Sequence, residues 1–424
     1  MEKRTRRILF FVFLSIFITV APILTLYVQG YRLDFENKKL TQTGGLFIKT
    51  IIPRQAEVYL DNKLAAKTDF FFSSTLVENL LPKIYNIKVQ KQDHYTWEKN
   101  LEVKEKQVIE ARNIVLFPKD PGFELISTGV KNIWFSKDKK KAVIKEENKN
   151  IWSLKLYNLE KDVKSHLLKE TDFYQADSEL IDLDFTDNNN LFLQVAIEEQ
   201  ITYFEIDIRK IPPLLTKAKA PSPLIKNALT YQVVNNAIYY LDNLGHLFKT
   251  DKSLLSEEKI TTNPLDVKQE TEYKLYVFDR TIFLQEGKTV YLFDQNKKLF
   301  EKFSENISYM KISSNKRKLV YFSDSEIRIL FLEEQTFQPR FDKGEKMFLM
   351  RLSESIKNIF WLNSDYLILA TNDVLKIAEI DNRDRVNIID IATVENPEVF
   401  LNLETKKLYL LDRGNLFVSK NIIL

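Results

Sequence analysis

Apolar residues fall along this chain in three rhythms. From Ile8 to Val28 they run unbroken and uncharged, ILFFVFLSIFITVAPILTLYV. A helix of that length rises roughly 31 Å, enough to cross the hydrocarbon core of a bilayer. It is apolar all round rather than along one stripe, which suits lipid better than the flank of a globular core. Between about Gly45 and Phe117 the period becomes two. Ala56, Val58 and Leu60 alternate with Glu57 and Tyr59, and Tyr85, Ile87 and Val89 alternate with Asn86, Lys88 and Gln90. Such alternation marks strands with one buried face, and Asp61-Asn62 after the first run is turn chemistry.

Beyond Pro118-Lys119-Asp120-Pro121-Gly122, a natural linker, the third rhythm begins. A short apolar strand ends in a polar turn, a second apolar strand follows, and a third comes after another turn. Asn132–Asp138 leads into Ala142-Val143-Ile144 and then Ile151-Trp152-Ser153-Leu154. Equivalent units start near Phe185, Tyr231, Val277, Ile312, Trp361 and Leu401. Their intervals lie around the roughly 40–50 residues of a propeller blade. A lone blade leaves both sheet faces exposed, and radial stacking buries them. The expected architecture is a β-propeller of about seven blades, with six or eight as alternatives and a generic pair of β-sandwiches as the competing fold. Phe123-Glu124-Leu125-Ile126 is placed to supply the outer strand of the final blade. The Pro-rich stretch Ile211–Pro223 reads as a long loop between blades.

The fold class is therefore all-β with one N-terminal transmembrane helix. Its expected divisions are a tail (1–7), the helix (8–28), a linker (29–44), a small β-sandwich (45–117), a linker (118–122) and the propeller (123–424). Charge sets the orientation. Lys3, Arg4, Arg6 and Arg7 against Glu2 hold all of the formal charge of +3, so the remainder sums to zero. Basic residues before a span stay cytoplasmic, which sends the bulk of the chain outward. A cleaved signal peptide is the rival, but the apolar run exceeds the roughly 7–15 residues of an h-region. Pro22 also follows the best small-residue site, Thr19-Val20-Ala21. A body with no net positive charge argues against nucleic acid as partner. The run Lys137–Lys141 reads as a solvated hairpin turn.

Two resemblances add to this. Pro53 and Ala56, then Val58, Leu60 and Asp61, then Thr68, Leu80, Tyr85, Ile87, Val89 and Tyr95 follow the pattern of the PEGA domain, a small β-sandwich of envelope proteins. Gln55, Asn62, Lys83 and His94 stand where that family often has glycine. The resemblance implies an envelope location and a spacer or interaction role. Phe135-Ser136-Lys137-Asp138 with its following strand resembles TolB-like and WD-like propeller repeats, without a recurring Trp-Asp or Gly-His signature.

Chemistry is sparse. The chain has no cysteine, which excludes disulfides, thiolate metal sites and a cysteine nucleophile. With nine glycines, turns must draw on Asn, Asp and Lys. His94, His166 and His246 are too scattered in sequence to suggest a metal trio or a triad. No phosphate loop, dinucleotide fingerprint or nucleophile elbow is present. Asp182, Asp184 and Asp187 before Asn188-Asn189-Asn190 supply oxygens of the kind Ca²⁺ takes, but a strand-and-turn reading fits better. Phe70-Phe71-Phe72 is expected to pack in the core or against the next domain, with a partner-binding patch as the alternative. No catalytic, cofactor or metal residue is singled out and no cofactor is expected. The favoured function is a single-pass envelope scaffold that binds a protein or glycan. An exported hydrolase with paired carboxylates is the alternative.

Overall fold

The computed structural model describes residues 3–35, 38–149, 151–173, 178–198, 200–210, 212–220, 225–395, 397–402, 404–420 and 422. Lys3–Val28 forms one α-helix, α1, with Pro22 inside it. The stretch Ile8–Val28 is long and apolar enough to cross a membrane, and none of it is buried against the body. An anchor and a signal sequence share these properties. At its end Gly30, with φ of +86°, turns the chain sharply. The stretch that follows is more than a tether. Tyr31–Asp34 pairs antiparallel with Lys39–Gln42 as a hairpin. The Arg32 guanidinium lies 3.6 Å from the centre of the Tyr27 ring, donates to the Tyr27 carbonyl, and reaches Asn79 Oδ1 at 2.7 Å. One side chain thus joins the helix, the hairpin and the module that follows.

That module consists of two sheets packed face to face. Ser74–Leu80, Gly44–Ile52 and Val108–Val115 make one; Lys63–Lys67, Glu57–Leu60, Lys83–Gln90 and Trp97–Val103 make the other. Their inner faces meet around Leu46, Ile48, Val58, Ile87, Val89 and Leu101. Val58 and Leu60, and Tyr85, Ile87 and Val89, are the buried members of their strands, as the period of two requires.

Residues 124–418 form a propeller. Among the described residues it comprises seven four-stranded antiparallel sheets. Six are meanders in sequence, beginning at Val130, Ser178, Ala228, Tyr273, Tyr309 and Ile356. The seventh takes Glu398–Asn402, Lys407–Asp412 and Asn415–Val418, and its outer edge is filled by Glu124–Ser127 from the other end. Each sequence repeat starts in the first strand of one of these sheets. Apolar clusters join neighbours around the ring. Val143 and Leu154 meet Leu183 and Leu193 between the first two sheets. Ile329 and Phe331 meet Ile359 and Trp361 between the fifth and sixth. Ile133 and Ile144 meet Tyr409 and Leu416 between the first and seventh, where the ring closes.

A blade is covered on both faces, so its second strand has no wet side. Lys318–Phe322 and Tyr366–Thr371 are accordingly buried at every position. The turns show how so few glycines suffice. Many non-glycine residues with positive φ are Asn, Asp or Lys, Asn235, Asp279 and Lys316 among them. The Pro-rich stretch expected to be a loop contains structure. Leu215–Ala218 is the fourth strand of the second sheet. As an outer edge strand it tolerates nearby Pro212 and Pro213, which could not donate within a sheet interior. Ile211 and 221–224 lie outside the described residues.

Leu416 is fully buried where the ring closes, whereas Leu125 on the closing strand is 55% exposed. Leu416→Ala should therefore lose about 2–5 kcal/mol in urea unfolding, and Leu125→Ala less than about 1 kcal/mol.

Candidate functional site

The strand Trp97–Val103 carries a lysine on its inward face. Trp97, Leu101 and Val103 face the apolar core, and Lys99 occupies the same side with no exposed surface. Its ammonium is held by the sixth sheet of the propeller. Nζ lies 2.7 Å from Glu379 Oε1 and donates to the carbonyls of Asp381 at 2.9 Å and Arg383 at 2.8 Å, and to that of Arg385. Glu379 also accepts from Trp97 Nε1 at 2.8 Å and from the Asn387 backbone and side-chain amides. Burial pushes the Glu379 carboxyl up from the usual carboxylate range, and the Lys99 ammonium opposes that shift. The bonds from Trp97 and Asn387 oppose the shift in the same way as Lys99, by favouring the charged form.

Around this pair the module and propeller join through further bonds. The Glu98 amide donates to Asn387 Oδ1, the Asn100 amide to Asp384 Oδ2 at 2.8 Å, and the Arg385 guanidinium pairs with Glu98. Val115 N donates to the Tyr366 hydroxyl, whose ring meets Phe117 edge-on, and burial pushes that phenol well above its ordinary value. From the fifth sheet, Gln338 accepts from Glu110 N and donates to Val108 O. Only a cavity of about 40 Å³ remains here. The space is too small for a substrate, so the junction is a joint rather than a binding site.

A groove of about 730 Å³ opens on the module instead, with Glu57, Lys67, Asp69, Phe70, Asp93 and His94 on its walls. Beside it the Phe70-Phe71-Phe72 triplet corrects the expectation of packing. The three rings are 52%, 81% and 76% exposed. The reason is local. Asp69 accepts from the Phe71, Phe72 and Ser74 amides, which fixes a tight turn with its side chains pointing outward. These bonds hold the Asp69 carboxyl below its ordinary value. Glu57 is lowered likewise, by bonds from Lys67 and Tyr59. Both acids are therefore charged acceptors in the groove, and a carboxylic acid that protonates a leaving group needs the opposite shift. Polar walls with an exposed aromatic rim suit recognition of a partner surface.

The other sequence candidates stay apart. His94 is in the module turn, His166 on an outer strand of the first sheet, and His246 in a hairpin turn of the third sheet beside Thr261 and Lys259. Asp187 accepts from the Asn189 and Asn190 amides and from the Asn190 side chain, closing the hairpin turn. Asp182 and Asp184 are exposed on the preceding strand. Among the described residues no group of three or more His, Asp or Glu is placed to hold a metal ion. Within Lys137–Lys141, Lys137 donates to the Thr186 carbonyl and Lys141 to Asn189 Oδ1, linking the first two sheets.

No protein-family model matches the chain, and no curated protein does. Among solved structures, YCF48 from Cyanidioschyzon merolae is similar over 70% of this chain and 98% of its own, with 8% identity and a TM-score of 0.44. The Swd1 β-propeller domain of Myceliophteria thermophila is similar over 69% and 96%, with 11% identity and a TM-score of 0.39. At these values the propeller assignment rests on the strand order and ring closure of this chain itself.

Breaking the buried pair leaves an uncompensated charge. Lys99→Met should cost about 3–5 kcal/mol in urea unfolding and open the loop around Asp384 to protease. Lys99→Met combined with Glu379→Leu should recover most of that loss.

Proposed function

We propose that this chain is a single-pass membrane protein whose bulk lies outside the cytoplasm. A PEGA-like module mounts a seven-bladed propeller there, and the pair binds a protein or glycan of the cell envelope. The observation that carries this reading is the continuity of the mount. Arg32 ties the end of the apolar helix to the module, and Lys99 ties the module to the propeller. Such a chain holds its binding surface at a set height above the anchor. The basic residues Lys3, Arg4, Arg6 and Arg7 supply the orientation.

The PEGA resemblance gains support from backbone geometry. Gln55 and Asn62 stand where that family often has glycine, and their φ values are +55° and +63°. At these two positions the conformation that favours glycine is kept although the residue has changed, while Lys83 and His94 do not have positive φ. The exposed Phe triplet and its neighbouring groove are the module's contact surface. Phe71→Ser with Phe72→Ser should leave the unfolding midpoint within the ±0.5 kcal/mol usual for surface changes, while lowering cross-linking to envelope components.

The absence of cysteine allows a direct test of placement. Asn148→Cys is exposed at a propeller turn, and Thr5→Cys precedes the apolar run. In intact spheroplasts a membrane-impermeant thiol reagent should label position 148 and spare position 5. Labelling of position 148 only after lysis would sink the proposed orientation.

A further inference from the structure

Where the inner strands of the fifth, sixth and seventh sheets end, a hollow of about 370 Å³ opens. Its lining includes Lys311, Ile312, Phe360, Trp361 and Leu401 and is mostly apolar. Lys311 is half-buried, and its ammonium sits 3.9 Å from the centre of the Phe360 ring and 2.6 Å from Asn358 Oδ1. That amide oxygen also accepts from Ile359 N, and Trp361 Nε1 donates to the Lys311 carbonyl, so both residues are held in place. Among the described residues no carboxylate pairs with Lys311. Asp365, on a turn of the sixth sheet, is taken by Lys318, which bonds it at 3.0 Å. The other charged group lining the hollow is Lys316, exposed on the turn.

A cation half-removed from water without a counter-charge is costly. Here burial pulls the ammonium down to about 8. Asn358 supplies a dipole and Phe360 a π face, and neither neutralises the charge.

We propose that this hollow binds a low-molecular-weight carboxylic acid with an apolar body, its carboxylate on Lys311 and its body against Ile312, Phe360 and Leu401. A single half-buried ammonium matches one negative charge, whereas a phosphate dianion calls for more donors. The volume lies within the range of small-molecule pockets. The inference goes beyond the binding reading above, since its ligand is neither a protein nor a glycan. It stands whichever way the helix is oriented, so the thiol-labelling result does not bear on it.

The test uses the detergent-solubilised full chain and phenylacetate as probe, with 2-phenylethanol as the neutral analogue. Calorimetric titration at pH 7 should show binding of phenylacetate and at least about tenfold weaker binding of the alcohol. Lys311→Met should abolish the difference, and Lys316→Met should leave most of it. Affinity should fall as pH rises through 8, because the bound form requires the protonated amine. A second arm needs no variant. Phenylacetate should slow acetylation of Lys311 in the unaltered protein, read by mass spectrometry, without slowing that of Lys357. Equal binding of acid and alcohol, absence of binding, or unprotected Lys311 would overturn the proposal. So would binding only of a peptide with a free C-terminal phenylalanine, which would assign the hollow to a chain terminus.

Discussion

The whole arrangement turns on one lysine ammonium removed from water. Lys99 comes from the sandwich module, and its acceptors, the Glu379 carboxylate and three backbone carbonyls, come from one blade of the propeller. Desolvating two charges is expensive, and their attraction offsets that cost only when geometry and extra hydrogen bonds are good. Here Trp97 and Asn387 satisfy the rest of the carboxylate. Such a pair adds little to stability compared with apolar packing of the same volume, but it allows one docking arrangement. A slipped module would bury Lys99 away from its acceptors. The pair therefore acts on geometry, fixing how two all-β bodies with few loops between them sit together.

The propeller obeys a different constraint, the covering of both faces of each sheet. Continuous apolar strands such as Leu319–Phe322 and Tyr366–Ala370 follow from it, and alternation survives mainly toward the edges. Ring closure by Glu124–Ser127 belongs to the same logic. It pairs the last blade's outer edge with the propeller's own first strand and joins the first and seventh sheets through apolar contacts.

Much of this was legible in the residues, for reasons that differ by element. The module's strands were clear because one face is wet, so Val58 and Leu60 alternate visibly with charge. The repeat starts were clear because polar turns of the Ser136–Asp138 kind separate short apolar runs. Leu215–Ala218 was hidden because an edge strand carries mixed polarity and sits between prolines. The Phe triplet misled because three aromatic residues suggest burial, while the Asp69 turn that exposes them depends on amide directions no composition reveals. Lys99 did leave a signal: in Trp97–Val103 it holds an inward position among Trp97, Leu101 and Val103. Its partner, 280 residues away in sequence, left none.

The same contrast separates three lysines drawn wholly or partly out of water and shows what each is for. Lys99 and Lys318 are each met by a carboxylate and at least one backbone carbonyl, so each completes a structure. Lys311 is met by an amide and a ring, and burial lowers its pKa. A fold that supplies counter-charges to two buried cations can supply a third. Holding Lys311 in place through Asn358 and Trp361 while leaving its charge uncompensated is what separates a prepared contact from a structural one.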